Sequence, residues 1–123
     1  MTGELAAAIP AYQAEPWIAE VVRRTRAVLP RVLVIDDGSV DRTAELALSA
    51  GAEVVGHAVN RGKGAALRTA FAALFGEGHA AVVTLDADGQ HLPEEIPKLV
   101  AAFRDGADLV LGTRDHLFAA MGQ

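Results

Sequence analysis

Apolar positions along the 123 residues fall either in short continuous runs or on helical faces, and the two patterns take turns. Residues 5–9 form an apolar run stopped by Pro10, which predicts a buried strand followed by a loop over 10–16. From Trp17 the apolar positions Trp17, Ile18, Val21, Val22, Val28 and Leu29 share one helical face, with Arg23, Arg24 and Arg26 mostly opposite, and Pro30 ends the helix. Residues 32–35 are β-branched and apolar, a second buried strand, and they run into Asp36-Asp37-Gly38-Ser39-Val40-Asp41. Asp41 is placed to cap a helix over 42–50, which Gly51 closes in the left-handed conformation.

A weaker third strand is expected over 53–57. Asn60-Arg61-Gly62-Lys63-Gly64 then opens a helix whose Leu67, Ala70, Phe71, Leu74 and Phe75 keep helical spacing, ended by Gly76 and Gly78. The apolar run 80–85 predicts a fourth strand that stops abruptly at Asp86-Ala87-Asp88-Gly89-Gln90-His91. Pro93 suits a first helical position, with Glu94 and Glu95 in the first turn and Ile96, Leu99, Val100 and Phe103 on the buried face; Gly106 stops that helix. A fifth strand over 108–111 leads to Gly112-Thr113-Arg114, and the tail beyond carries no pattern.

Strands that alternate with helices and are apolar throughout imply an α/β fold, a mostly parallel sheet with helices on both faces. Right-handed crossovers put the carboxyl ends of such strands on one edge, where ligands of these sheets bind. Asp36, Asp37, Asp86, Asp88 and Arg114 all stand at such ends, so five charged groups distant in sequence are expected to converge.

Composition narrows the chemistry. The length fits one domain, residues 1–123, able to bury a core of its own. There is no cysteine, which excludes disulfides, thiolate zinc sites and a cysteine nucleophile and fits a reducing compartment. A net charge of −5 gives no electrostatic reason to expect nucleic acid or an anionic membrane surface as partner. No apolar run approaches the roughly 20 residues of a membrane helix. A phosphate-bearing ligand must therefore be held by local donors or by a metal.

Each candidate motif has a plain reading beside its chemical one. Asp86 and Asp88, one residue apart, repel unless a positive charge sits beside them, and together with Gln90 they offer oxygen ligands to Mg²⁺ or Mn²⁺ bridging a diphosphate. The alternative is a solvated turn in which one aspartate caps the next helix. Asp36 and Asp37 either form an Asp-Gly turn or accept hydrogen bonds from a nucleobase or ribose. Gly62-Lys63-Gly64 is either a flexible helix start or a phosphate or base contact at a helix N-terminus; it lacks the upstream glycine of a Walker A loop. Pro10-Ala11-Tyr12 replaces the glycine-rich turn of a dinucleotide fold, which argues against NAD, and Tyr12 either stacks on a base or packs the loop. His91 either approaches a leaving diphosphate or is solvated, and His57, His79 and His116 show no ligand spacing.

Taken together, Ile9-Pro10-Ala11-Tyr12, Val34-Ile35-Asp36-Asp37-Gly38-Ser39 with Asp41 and Thr43, Asn60-Arg61-Gly62-Lys63-Gly64 with Ala66 and Arg68, Asp86-Ala87-Asp88-Gly89-Gln90-His91 and Gly112-Thr113-Arg114 resemble family 2 glycosyltransferases. The resemblance is to the nucleotide-sugar-binding half of their Rossmann-like GT-A fold, nearest the polyprenyl-phosphate (dolichyl-phosphate) mannose or glucose synthase branch. It implies that Pro10, Tyr12, Ile35 and Asp37 line a nucleoside pocket, with Asp37 reading the base and Lys63 on the donor. It further implies that Asp86, Asp88 and Gln90 surround the metal, and that Asp88 and Arg114 serve catalysis, Arg114 by reaching phosphate near the acceptor.

The implied reaction transfers a sugar from a UDP- or GDP-type donor with inversion, to a polyprenyl phosphate, in the cytoplasm or peripherally at the inner face of the membrane. The acid of the family's first loop is Ala14 here, with Gln13 for its asparagine and Glu15 one place late. The acceptor half is expected to be missing from the chain, so that a second copy or a partner chain would complete the acceptor site. Two rival readings are a non-catalytic nucleotide-sugar-binding module or inactive fragment, and a haloacid-dehalogenase-type phosphatase. The last lacks the later motifs its chemistry needs.

Overall fold

The computed structural model describes residues 5–79, 81–87, 109–111 and 118–121. The elements are β1 (Leu5–Ala11), α1 (Ile18–Arg26), β2 (Val32–Asp36), α2 (Thr43–Ala50), β3 (Glu53–Gly56), α3 (Lys63–Gly76), β4 (Ala81–Thr84), β5 (Leu109–Leu111) and β6 (Phe118–Met121). They form one six-stranded sheet in the order β3-β2-β1-β4-β6-β5. Neighbours within β3-β2-β1-β4 are parallel, and β6 runs antiparallel between β4 and β5.

The expected strand–helix alternation holds through β4, with boundaries shifted by up to three residues, the most at α1, which ends at Arg26 rather than just before Pro30. The sequence pattern shows no sign of β6, whose four residues fall in the tail that reads as patternless. The helix expected after Pro93 lies outside the described residues. Among the described residues, no helix is long and apolar enough to cross a membrane.

Period-two alternation sorts the strand side chains between two cores. Leu5, Ala7, Ile9 and Ala11 of β1, Val32 and Val34 of β2, and Ala81 and Val83 of β4 pack with Ile18, Val21 and Val22 of α1 and Ala47 of α2. Their neighbours Ala6, Ala8, Leu33, Ile35 and Val82 pack on the other face with Ala66, Ala70 and Leu74 of α3. Both faces are therefore buried, which is why the strands are apolar throughout. On the α3 face alanine meets alanine, Ala6 and Ala8 on the strand and Ala66 and Ala70 on the helix, so the helix can lie close to the central strand.

That closeness generates a test. Ala8 is fully buried, and Ala8→Leu would overfill the β1–α3 contact, lowering stability by about 1–3 kcal/mol in urea unfolding. Stability equal to wild type would show that the layer has room to spare.

Candidate functional site

The centre of the site is the turn after β2. Asp36 serves the turn itself: its Oδ1 accepts from the Ser39 amide at 3.0 Å, and its carbonyl accepts from the amides of Gly38 and His57, each at 2.9 Å. Asp37 is 4% exposed, although it carries a carboxylate. Its Oδ1 accepts from the Arg61 amide at 2.9 Å and from His57 Nδ1 at 2.7 Å, and its Oδ2 accepts from the Gly62 amide at 2.8 Å. Asn60 Nδ2 donates to the Asp37 carbonyl at 3.2 Å. One buried acid thus organises the whole 57–62 segment, and Gly62 takes a φ of +98° where that segment turns into α3.

Gly38 is the second necessity. Its φ is +80°, and a Cβ there would lie 2.5 Å from both the Val59 carbonyl carbon and the Asn60 nitrogen. Those are backbone atoms of the segment that Asp37 holds, so they cannot swing aside. The Asp-Gly pair is at once a turn and a docking point for the loop before α3.

A second set of bonds joins the loop after β1 to the start of α2. Gln13 N–H donates to Ser39 Oγ and Ala14 N–H to Thr43 Oγ1, each at 2.8 Å; Glu15 N–H donates to Asp41 Oδ2 at 3.2 Å. In return Gln13 Oε1 accepts from the Val40 amide at 2.7 Å and Glu15 Oε1 from the Arg42 amide at 3.0 Å. Asp41 Oδ1 accepts the Thr43 amide at 3.0 Å, so it caps the first turn of α2. Gly51 closes that helix at φ +108°, as expected. Gln13 and Glu15 are engaged in fixing the two loops to each other.

Between these loops, at the carboxyl edge of the sheet, lie two adjoining cavities. The first, about 340 Å³, is lined by Pro10, Ala11, Tyr12, Asp37, Asn60, Gly62, Lys63 and Ala66. The second, about 200 Å³, shares Pro10, Tyr12 and Lys63 with it and adds Ala14, Trp17, Asp86 and Ala87. Tyr12 and Trp17 are 55% and 45% exposed, so both rings present a free surface rather than filling the core. Lys63 Nζ lies 2.5 Å from Asp86 Oδ1, across the second cavity's rim.

Of the expected site residues, Pro10, Tyr12, Asp37, Lys63 and Asp86 therefore meet in one cleft. Ile35 does not: its side chain is fully buried and packs in the core with Ala66, Ala70 and Leu74 of α3. Asp88, Gln90, His91 and Arg114 lie outside the described residues. Among the described residues, no three His, Asp or Glu side chains gather as a metal cluster. Asp86, at the end of β4 and paired with an ammonium, shows that positive charge is favoured at this spot.

His57 is the residue behind the site that sequence spacing misses. It binds Asp37 through one ring nitrogen and Thr69 Oγ1, at 2.9 Å, through the other. Its only signal in the sequence is a polar residue ending a strand, which says nothing of a partner twenty positions back.

Burial alone would raise the Asp37 pKa, but the His57 bond and the Arg61 and Gly62 amides outweigh it and hold the carboxyl below its ordinary value. Asp41 is likewise lowered: burial raises its pKa, and the Thr43 hydroxyl, the Thr43 amide and the Glu15 amide more than compensate.

A Rossmann-like α/β sheet with a cleft at the carboxyl ends of its strands, bounded by two loops locked to each other, defines the class of the domain. The chain belongs to glycosyl transferase family 2, whose model matches residues 7–122. It is 38% identical over 120 residues to an undecaprenyl-phosphate 4-deoxy-4-formamido-L-arabinose transferase of Salmonella paratyphi A, covering 88% of this chain and 36% of that protein. It is also 34% identical over 113 residues to an uncharacterized protein of Methanocaldococcus jannaschii, covering 90% of this chain and 46% of the other.

Among solved structures, glucosyl-3-phosphoglycerate synthase from Mycobacterium tuberculosis, in complex with Mn²⁺, UDP and glucosyl-3-phosphoglycerate, superposes with a TM-score of 0.81 at 23% identity. That match covers 95% of this chain and 56% of the synthase chain. The chain thus spans between about a third and a half of the length of these curated relatives.

Two measurements probe the site's framework. Because folded Asp37 and Asp41 titrate below the ordinary value of about 3.9, their stabilisation is complete above that value and is lost as pH falls from it through the folded values. The urea midpoint should therefore fall below about pH 4, and Asp37→Asn should flatten that fall; a midpoint unchanged down to about pH 3 would contradict the assignment. Gly38→Ala should cost at least about 2 kcal/mol through strain and clash, read by the same unfolding.

Proposed function

We propose that this chain forms the donor site of a metal-dependent glycosyltransferase that takes a sugar from a nucleotide-diphospho-sugar, inverts its anomeric centre and passes it to a polyprenyl phosphate. The observation that carries this reading is the continuous cleft from Asp37 to Asp86. Its lining has the chemistry for such a donor: a buried acceptor at one end for a base, the Pro10 and Tyr12 wall for stacking, a lysine midway for phosphate, and an acid at the far end. Family membership and the named transferase among the relatives support the reaction class and the acceptor.

Asp86, Asp88 and Gln90 are the residues that would hold Mg²⁺ or Mn²⁺. The fit rests on Asp86, a carboxylate whose side chain is 20% exposed at a strand end, already matched with a cation. A bound divalent ion supplies Lewis-acid stabilisation of the charge that grows on the departing diphosphate. On the chain itself, Lys63 is within reach of both Asp86 and the cavity, so it can move from carboxylate to phosphate when a donor enters. Asp88 and Arg114 are the proposed catalytic groups, Arg114 acting on the acceptor phosphate.

A polyprenyl phosphate is already a nucleophile, so no base is required of this chain, and such an acceptor would bring the protein peripherally to the inner membrane face.

Calorimetry with UDP- and GDP-sugars and Mn²⁺, paired with a transfer assay to polyprenyl phosphate, tests the proposal. Donor should bind, and Lys63→Ala should weaken it about tenfold. Binding without transfer or donor hydrolysis would identify a binding module rather than an enzyme, and no binding of any nucleotide would overturn the reading altogether.

A further inference from the structure

His57 does not line the cleft, yet it is one of three groups bound to the carboxylate that does. Its side chain is 7% exposed, with Nδ1 2.7 Å from Asp37 Oδ1 and Nε2 2.9 Å from Thr69 Oγ1 on α3. A carboxylate only accepts, so Nδ1 carries the proton, and in the neutral ring Nε2 accepts from the Thr69 hydroxyl. With both nitrogens engaged and little solvent around it, the ring is held in one orientation, and Asp37 with it.

The count of acceptors has a consequence for recognition. An ionised carboxylate offers about four acceptor positions, two on each oxygen. On Asp37, His57 and the Arg61 amide take both positions of Oδ1, and the Gly62 amide takes one of Oδ2. Among the described residues no further donor reaches Oδ2, so a single position on it is left, on a residue that lines the 340 Å³ cavity. Uracil presents one ring N–H between two carbonyls. Guanine presents a ring N–H and an exocyclic amino group side by side, and satisfying both takes two carboxylate oxygens.

We propose that His57 is a positioning residue which, by occupying Oδ1 of Asp37, leaves one acceptor for the nucleobase and so favours a base with a single N–H at that edge, as in uracil, over guanine. The proposal rests on the reading of the cleft as a nucleotide site. It acts through geometry: the imidazole touches no ligand, and removing it reopens a position on Oδ1.

The test is calorimetric titration of UDP and of GDP, each with Mn²⁺, into wild type, His57→Leu, His57→Asn and Thr69→Val, with thermal unfolding of each variant alongside. Wild type should prefer UDP by about tenfold or more. His57→Leu should narrow that ratio at least about threefold, and His57→Asn, whose amide nitrogen takes the place of Nδ1, should keep it. Thr69→Val frees the far side of the ring and should shift the ratio in the same direction as His57→Leu, which serves if the leucine variant does not fold. A purely structural role would weaken both nucleotides equally and leave the ratio untouched; that result in a folded variant, or tighter binding of GDP by wild type, overturns the proposal alone. Binding of neither nucleotide by wild type overturns the nucleotide reading of the cleft, and this inference with it.

Discussion

A buried carboxylate is costly unless donors surround it, and at Asp37 they do. Two backbone amides and a ring nitrogen converge on two oxygens. The arrangement is only possible because Gly38 lets the 59–60 backbone approach within a distance that no side chain would tolerate. From this one interaction follow the path of the 57–62 segment, the point where α3 begins, and hence the position of Lys63 at the mouth of the cleft. Remove the charge or the glycine and the wall of the cleft has nothing to rest on.

The same economy of space governs the sheet. Alanines on β1 and α3 let the helix that follows the 57–62 segment pack against the central strand. On the opposite face α1 packs through larger side chains, Ile18, Val21 and Val22. The cleft lies where these layers part, at the carboxyl ends of β1, β2 and β4. The loop after β1 is held there by side chains of the loop after β2, and the exchange of bonds between Gln13, Glu15, Ser39, Asp41 and Thr43 keeps Tyr12 half in solvent and available to a ligand.

Residues whose job is local were legible in the chain. The strands announced themselves as apolar runs because both faces of the sheet are covered. Gly51 was recognisable because only a residue tolerant of positive φ suits that helix end. Asp41 was recognisable as a cap because capping acts over two or three positions, although it serves the loop after β1 as well. Ile35 misled: it shares a motif with Asp37, but it still lies within β2, where α3 covers it, whereas Asp37 stands past the strand end. β6 gave no warning, since four residues pairing antiparallel between distant strands need no pattern of their own.

By itself the sequence determined the element order through β4, the two-sided burial of the sheet, and the gathering of Asp37 and Asp86 at one edge. All of these follow from periodicity and from the rule that parallel strands share an end. Only the tertiary structure decided what each acid does there: Asp36 holds a turn, Asp41 a helix start, Asp37 a loop and one remaining acceptor, and Asp86 a lysine. It alone brought His57 to Asp37. A carboxylate's role is set by which donors reach its two oxygens, and those donors come from segments that lie apart in sequence and meet only on folding.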